Sequence, residues 1–302
     1  MKKSIYVLLL LTGSLFSADV NQEELDAAIA SEKEAKLEIE TATSKLKAAQ
    51  KVLKKEAEKH LSFNSHTELG YVSTSGNTDT KTGSLDAMGK FKLQKNSLQL
   101  DIDYIYGEEA GVENRNKLST ELNYDHRISK HFGFNYLVGY KDDKFSGYDY
   151  QFYTGPGAKY IAIENDAHLL NFQGNILYSV DVEMDKYYDV AGVEIKYPYV
   201  NPTKASATST VSGITNEYTS FLVKGDYAWK ITNTIKFIQK LSYRTDLEDS
   251  DVYFVNSKTG LLSKINSMFS MGVNYKVDYV NVPPVGNEHA DKTLTVTLSI
   301  DY

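Results

Sequence analysis

The chain has 302 residues, a formal net charge of -7 and no cysteine, and it contains 23 tyrosines against 1 tryptophan and 5 prolines. The lack of cysteine excludes disulfides, thiol catalysis and thiolate metal sites. The acidic balance disfavours nucleic acid as a partner. A chain of this length can form one or two domains, and its many tyrosines are typical of the aromatic girdles of membrane β-barrels.

The N-terminus has the pattern of a secretory signal peptide. Two lysines precede a mostly apolar run from Ile5 to Phe16. This run is shorter than the roughly 20 residues of a membrane-spanning helix and suits the roughly 7–15 residues of a signal-peptide core. Because Ser17 and Ala18 are small, we predict a signal peptide at residues 1–17; an uncleaved membrane anchor is the alternative.

The second region, residues 18–61, is predicted to be helical. It has no proline or glycine from Glu23 onward and is rich in Ala, Glu, Lys and Leu, which are good helix formers. Two rows of residues recur at multiples of seven and fit the a and d positions of a coiled coil, interrupted by Glu32: Leu25, Ile39, Leu46 and Leu53, and Ala28, Ala35, Ala42 and Ala49. A coiled coil, which self-associates or binds a partner, and a single solvated helix both remain open.

The third region, residues 62–302, has a period of two and predicts an antiparallel, up-and-down transmembrane β-barrel. Segments of about ten residues with apolar side chains on one face and polar ones on the other are typical of membrane strands. A soluble sandwich is the alternative, although it normally has shorter strands and fewer aromatic residues. We predict 12 strands, near 63–72, 84–93, 97–106, 116–125, 132–141, 148–162, 168–179, 218–230, 235–245, 252–262, 269–279 and 292–302.

The predicted connections alternate between short turns and longer loops, the longest running from Val180 to Glu217. In bacterial barrels the short turns lie on the periplasmic side and the long loops outside. We therefore expect both chain ends in the periplasm and the barrel in the outer membrane. Four prolines fall in the proposed outer loops, whereas Pro156 falls within the sixth strand and predicts a β-bulge there.

The last strand ends in the aromatic Tyr302. An aromatic terminal residue after an alternating strand is similar to the signal that the barrel assembly machinery reads. The predicted partners are therefore this machinery, outer-membrane lipid, and a periplasmic protein, peptidoglycan or a second copy at the helix.

Residues that could carry chemistry give no pattern of an enzyme. The six histidines form no His-Glu-x-x-His motif, and no serine nucleophile motif is present. His66 and Glu68 share one face of the first strand, which we interpret as a lumen contact. We predict no catalytic residues, no cofactor and no metal site.

Charged residues on the polar face predict two facing walls in the lumen. The acidic wall consists of Asp101, Asp103, Glu121 and Asp125, and the basic wall of Lys224, Lys240, Arg244 and Lys258. A transverse field of this kind would set the selectivity of a pore. Alternatively, the charges pair and close the barrel; 12 strands lie between barrels that are filled and barrels that hold an aqueous channel.

Several motifs of the barrel resemble a bacterial family, the salt-induced outer-membrane proteins. They are Gly70-Tyr71 with the run Thr74 to Thr78, Tyr106-Gly107, the run Asp143 to Asp149, Gly155-Pro156-Gly157 with Tyr160, and the run Asp291 to Leu298. The resemblance covers residues 63–302 and not the helix. It implies an outer-membrane location and a role in salt or osmotic stress, and it brings no catalytic residues.

Three classes of function remain open at this point. The barrel could be a narrow channel for ions or small polar solutes. It could instead be a structural anchor whose helix binds a periplasmic partner or peptidoglycan. The third class, an outer-membrane enzyme acting on lipid or glycan, would need a site in the outer loops that the sequence does not show.

Overall fold

The computed structural model describes residues 22–75, 79–199, 204–284 and 287–301. The predicted signal peptide at residues 1–17 and the terminal Tyr302 lie outside the described residues, as do positions 76–78 of the first loop.

The N-terminal unit is one helix, α1, from Gln22 to His60. Its exposed face carries an ion pair between Glu32 and Lys36 at 2.7 Å, one helical turn apart. The predicted helix is confirmed, while its pairing as a coiled coil stays a prediction. The part of the chain that the structure describes has no helix long and apolar enough to cross a membrane.

Twelve long strands form a closed antiparallel barrel in the order β1-β15-β14-β13-β12-β11-β7-β6-β5-β4-β3-β2. The strands are β1 (Leu61–Thr74), β2 (Thr80–Leu93), β3 (Asn96–Glu109), β4 (Val112–Arg127), β5 (Phe132–Asp143), β6 (Tyr148–Glu164), β7 (His168–Glu183), β11 (Thr215–Lys230), β12 (Ile235–Asp246), β13 (Tyr253–Lys264), β14 (Phe269–Val280) and β15 (Ala290–Asp301). The predicted barrel is confirmed, and its closure excludes the two-sheet sandwich.

The long connection between β7 and β11 contains a small sheet of its own. Its strands are β8 (Lys186–Tyr188), β9 (Glu194–Ile195) and β10 (Ser209–Val211), in the order β10-β8-β9. A single 3-10 turn at Lys204–Ser206 precedes β10. The longest predicted loop is therefore partly ordered as strands.

Two details of the sequence prediction are wrong. The loop predicted between residues 106 and 116 is instead a continuation of β3 and β4 to a two-residue turn at Ala110 and Gly111, where φ is 50° and 79°. Positive φ at both positions is the geometry of a type I′ hairpin, whose twist matches that of its strands.

The bulge predicted at Pro156 is also absent. Pro156 pairs in register with Tyr136 of β5, and the register shifts of β6 against β7 lie near Tyr148 and Ile161 instead. The ladder to β7 is interrupted at Pro156, which lacks an N–H, and the Asn175 side chain donates a hydrogen bond to the Gly155 carbonyl at 3.3 Å. The Asn175 side chain thus supplies a hydrogen bond to β6 beside the proline, and β6 passes this point without a bulge.

The outward face of the barrel carries an apolar belt between two aromatic girdles. The belt exposes Leu69, Leu100, Leu122, Ile176, Val223, Leu241, Val273 and Leu298. Towards the short turns it is bordered by Phe63, Phe91, Phe132, Tyr160 and Trp229, and towards the long loops by Tyr71, Tyr106, Tyr140, Tyr178 and Tyr243. This is the lipid-facing surface of a transmembrane β-barrel.

Candidate functional site: the barrel lumen

Alternation along the strands points the polar face of the sheet into the lumen. The lumen is largely polar, with one apolar cluster of Leu137, Leu177 and Leu222 that packs against Tyr153. Its charged side chains form ion pairs across the barrel, in the groups described below.

The first group connects β13 and β14 to the strands beyond the closing seam. The Lys258 ammonium lies 3.5 Å from Glu68 of β1 and 3.3 Å from Asp86 of β2. The Lys276 ammonium lies 3.0 Å from Asp86 and pairs with Asp103 of β3. Two lysines and three carboxylates therefore form one network across six consecutive strands of the ring, in which paired residues lie up to four strands apart.

Glu68 in this network also contacts His66. The two ring nitrogens of His66 lie 2.8 Å from Glu68 and 2.6 Å from Asp301. This is the lumen contact expected for His66 and Glu68. The described residues contain no group of three His, Asp or Glu side chains arranged to hold a metal ion.

The second group connects β4 to β11. Glu121 pairs with Lys224, which lies four strands away around the ring. The Tyr153 hydroxyl donates a second hydrogen bond to Glu121 at 2.8 Å. Two donors therefore hold this carboxylate in place. The ion pair of Glu121 with Lys224 crosses the lumen near mid-height.

The third group lies towards the long loops. Lys117 of β4 pairs with Asp278 of β14. The Arg244 guanidinium lies 3.6 Å from Asp181 and donates to the hydroxyls of Ser179 and Tyr218, both at 3.1 Å. Arg244 also stacks between rings, 4.9 Å from the Tyr153 centroid and 4.3 Å from that of Phe254.

Towards the short turns, buried amides form a network next to the ion pair of Asp125 with Lys159. Gln173 donates to Asn135 and Asn175, both at 2.9 Å, and Asn175 donates to Asn135 at 2.7 Å. Asn135 in turn donates to Asp125 at 2.7 Å, and Lys159 donates to the other oxygen of Asp125 at 2.8 Å. This network fills the lumen between β4, β5, β6 and β7.

The structure pairs most of the eight residues proposed from sequence. Asp103, Glu121, Asp125, Lys224, Arg244 and Lys258 have the partners given above, and Asp101 accepts a hydrogen bond from Gln99 at 2.8 Å. Lys240 is exposed and has no ion pair among the described residues. Most of these charges are thus joined to other lumen residues, and Glu121 of the acidic wall pairs with Lys224 of the basic wall. Their role in selectivity stays a prediction.

Sequence reasoning missed Lys276, Asp278, Lys117 and Asp181. Each lies on the inward phase of its strand, so the alternation that selected the eight residues also applies to them. The prediction considered only strands at opposite positions in the ring, whereas the observed pairs join strands two to five apart.

The connections at the long-loop end form a cap over the lumen. Asn287, between β14 and β15, donates to the Phe145 carbonyl in the β5–β6 loop at 2.8 Å. The Phe145 ring packs against Tyr197 of the β7–β11 connection at 5.2 Å, and the Tyr197 hydroxyl donates to Glu113 at 2.9 Å. Burial and this hydrogen bond to Glu113 raise the pKa of Tyr197 to about 12.

Two cavities lie in the lumen. The smaller, of about 60 Å³, lies beneath the cap, where Phe145, Lys276 and Asp278 line it. The larger, of about 240 Å³, lies at the short-turn end, where Lys90, Arg127 and Ile161 line it.

A family model described as "Protein of unknown function, DUF481" matches residues 67–302, which is most of the chain and nearly all of the barrel. The chain belongs to the DUF481 family. It is also similar to the uncharacterized protein YdiY of Escherichia coli (strain K12), with 25% identity over 243 residues, covering 78% of this chain and 82% of that protein.

Solved structures similar to this DUF481 protein include outer-membrane barrels. The translocator domain of the autotransporter NalP from Neisseria meningitidis aligns with a TM-score of 0.42 and 9% identity, over 86% of this chain and 97% of that one. An outer membrane channel from Pseudomonas putida F1 aligns with a TM-score of 0.42 and 8% identity, over 80% and 95% of the two chains.

Proposed function

We propose that this DUF481 protein is an outer-membrane barrel that acts as a narrow, normally closed channel for ions or small polar solutes. The apolar belt and its two girdles support a membrane location. The alternation of turns and loops supports an orientation with the short turns and α1 in the periplasm and the cap outside.

The observation that carries the proposal is the charged content of the lumen. Removing two charges from water is expensive, and a buried ion pair often stabilises a protein no more than apolar residues of the same volume would. If the lumen only had to be filled, apolar side chains such as those of the Leu137 cluster would suffice. Ion pairs such as Glu121 with Lys224 instead leave a polar path that opens when the pairs separate.

Planar-bilayer recording on the purified full chain tests this proposal. We expect small or infrequent conductance steps for the wild type and larger or more frequent steps for the double variant Glu121→Gln with Lys224→Gln. This variant removes the bridge without leaving one buried charge unpaired.

A matched control is Lys81→Gln with Glu108→Gln, which removes an ion pair of 2.9 Å between outward-facing positions of β2 and β3. This control should conduct like the wild type. The channel function is wrong if neither the wild type nor the Glu121/Lys224 variant conducts above background.

The resemblance to salt-induced outer-membrane proteins supports a role of such a channel in osmotic stress. Deletion of the gene should slow growth at high NaCl relative to the parent strain, and the wild-type gene should restore it. A sucrose medium of the same osmolarity distinguishes an osmotic effect, seen in both media, from one specific to salt. Equal growth of the deletion strain and its parent in both media would contradict this role.

A second candidate function is that of an anchor for α1. Three apolar residues of the a row are largely exposed on this helix: Ile39 at 63%, Leu46 at 59% and Leu53 at 69%. Such a seam favours a partner, which could be a second copy, a periplasmic protein or peptidoglycan. Deleting residues 23–61 should weaken the envelope without changing conductance if the anchor function holds, and should leave envelope integrity intact if the channel alone matters.

A further inference from the structure

The larger cavity is positively charged. It lies at the short-turn end of the lumen, between β2 and β7 along the ring, and has a volume of about 240 Å³. Five cationic side chains line it against two carboxylates: Lys90, Lys92, Lys95, Arg127 and Lys159, with Asp125 and Glu164.

Both carboxylates are already engaged. Asp125 binds Lys159 at 2.8 Å as well as the buried amide of Asn135. Glu164 lies 3.4 Å from Arg127. Within residues 22–75, 79–199, 204–284 and 287–301, the other three lysines of the cavity have no ion-pair partner, so they give it an uncompensated positive charge.

One side of the cavity is apolar. Ile161 and Leu169 line it, next to the small Gly133. A cavity with several cationic donors and an apolar wall suits a ligand that has an anionic group and an apolar body. Most of the lining side chains point inward, so this ligand would come from the aqueous phase at the short-turn end.

We propose that this cavity is a binding site for a small organic oxyanion, a phosphate or carboxylate attached to an apolar or ring-shaped body. Lys90 and Lys92 bind the anionic oxygens, and Ile161 and Leu169 contact the body of the ligand. Because the site lies at one end of the lumen, it binds its ligand whether or not the barrel conducts.

Calorimetric titration of the full chain in a non-ionic detergent tests the site. The probes are phenyl phosphate and benzoate, with phenol as the neutral control of the same ring. Saturable binding is expected for at least one anion and not for phenol. The anion that binds more tightly identifies the preferred group.

The variant Lys90→Gln with Lys92→Gln should weaken binding of the anionic probe at least about tenfold, because it removes two charged hydrogen-bond donors. The matched control is Lys236→Gln with Lys264→Gln. It removes two lysines that point inward from β12 and β13 at the same end of the barrel but do not line the cavity. Its affinity should stay within about twofold of the wild type, since long-range charge effects are screened by salt.

Three results would overturn the proposal: no saturable binding of either anion, equal binding of phenol, or equal weakening by both pairs of substitutions. The last result would mean that the lysines at this end act only as a diffuse positive potential. None of these results depends on the conductance, so a failure of this site and a failure of the proposed channel can be told apart.

Discussion

At the scale of single residues, the motif Gly155-Pro156-Gly157 shows how close packing constrains the barrel wall. A Cβ added to Gly155 would overlap the backbone carbonyl oxygen of Ile176 in β7. Backbone cannot move aside as a flexible side chain can. The close approach of β6 and β7 at this point therefore requires a residue without a side chain.

We predict that Gly155→Ala destabilises the barrel by about 1–3 kcal/mol, the usual cost of overpacking a well-packed site. The measurement is urea unfolding of the barrel in lipid vesicles. Gly83→Ala is the matched control, because a Cβ at Gly83 has no neighbour within 4 Å. Equal stability of the two variants would contradict the close approach of β6 and β7.

At the scale of elements, the seam that closes the barrel is short. Among the described residues, β1 and β15 pair only from His66 to Gly70 on β1, whereas β1 and β2 pair along their full lengths. On β1 the segment Tyr71–Thr74 thus has ladder partners on one side only. An unpaired edge facing lipid is unfavourable, so this segment should open more readily than other strand ends.

Hydrogen exchange measures this difference. Amides of Tyr71–Thr74 in β1 should exchange faster than those of Tyr104–Gly107 in β3, which lies near the same end of the barrel and pairs on both sides, with β2 and with β4. Equal protection of the two segments would mean that the seam is closed along its whole length in the membrane.

The cap is a second element whose role can be measured. Phe145 links the β5–β6 loop to Tyr197 and, through its carbonyl, to Asn287. Truncating this ring should loosen the cap and open a path from the long-loop end to the cavity beneath. The chain has no native cysteine, so one introduced thiol reports access to that cavity.

We predict that Phe145→Ala increases the rate at which a membrane-impermeant maleimide labels Ser84→Cys, which lines the cavity beneath the cap. Labelling of the exposed Ser75→Cys should not change. An unchanged rate at position 84 would show that Phe145 does not control access from this end.

At the scale of the whole molecule, local sequence predicted the wall of the barrel better than its interior. The period of two places Asp103 and Lys224 in the lumen, and it gives the number of strands, because each strand carries its own pattern. It does not give the partner of Asp103, which is Lys276 on β14. That pairing depends on closure of the ring and on the stagger of distant strands, and neither is encoded in one segment.

The same limit explains the cap and the basic cavity. Contact between Phe145 and Asn287 requires two loops, 142 residues apart in the chain, to meet across the mouth. The sequence contains the lysines of the cavity, but it does not show that they outnumber the carboxylates there. Only the arrangement of the strands around the ring determines that Asp125 and Glu164 are the carboxylates that lie beside them.

The orientation of the two faces predicts how the whole barrel responds to charge. Leu241 faces outward in the apolar belt, and its neighbour Ser242 faces the lumen at the same height. A lysine near the middle of the lipid face costs about 2–4 kcal/mol, whereas the lumen tolerates charge. We therefore predict that Leu241→Lys lowers the free energy of unfolding in vesicles by that amount and that Ser242→Lys lowers it much less.

The single tryptophan, Trp229, makes this comparison measurable by fluorescence during urea unfolding. It lies in the outward girdle near the short turns, so its emission should shift to longer wavelength when the barrel leaves the bilayer. The two substitutions add the same lysine side chain at neighbouring positions of β12. The strand propensity and the length of the new side chain are therefore the same in both variants. Equal destabilisation would mean that the belt does not face lipid, and with it the membrane location and the proposed channel would both fail.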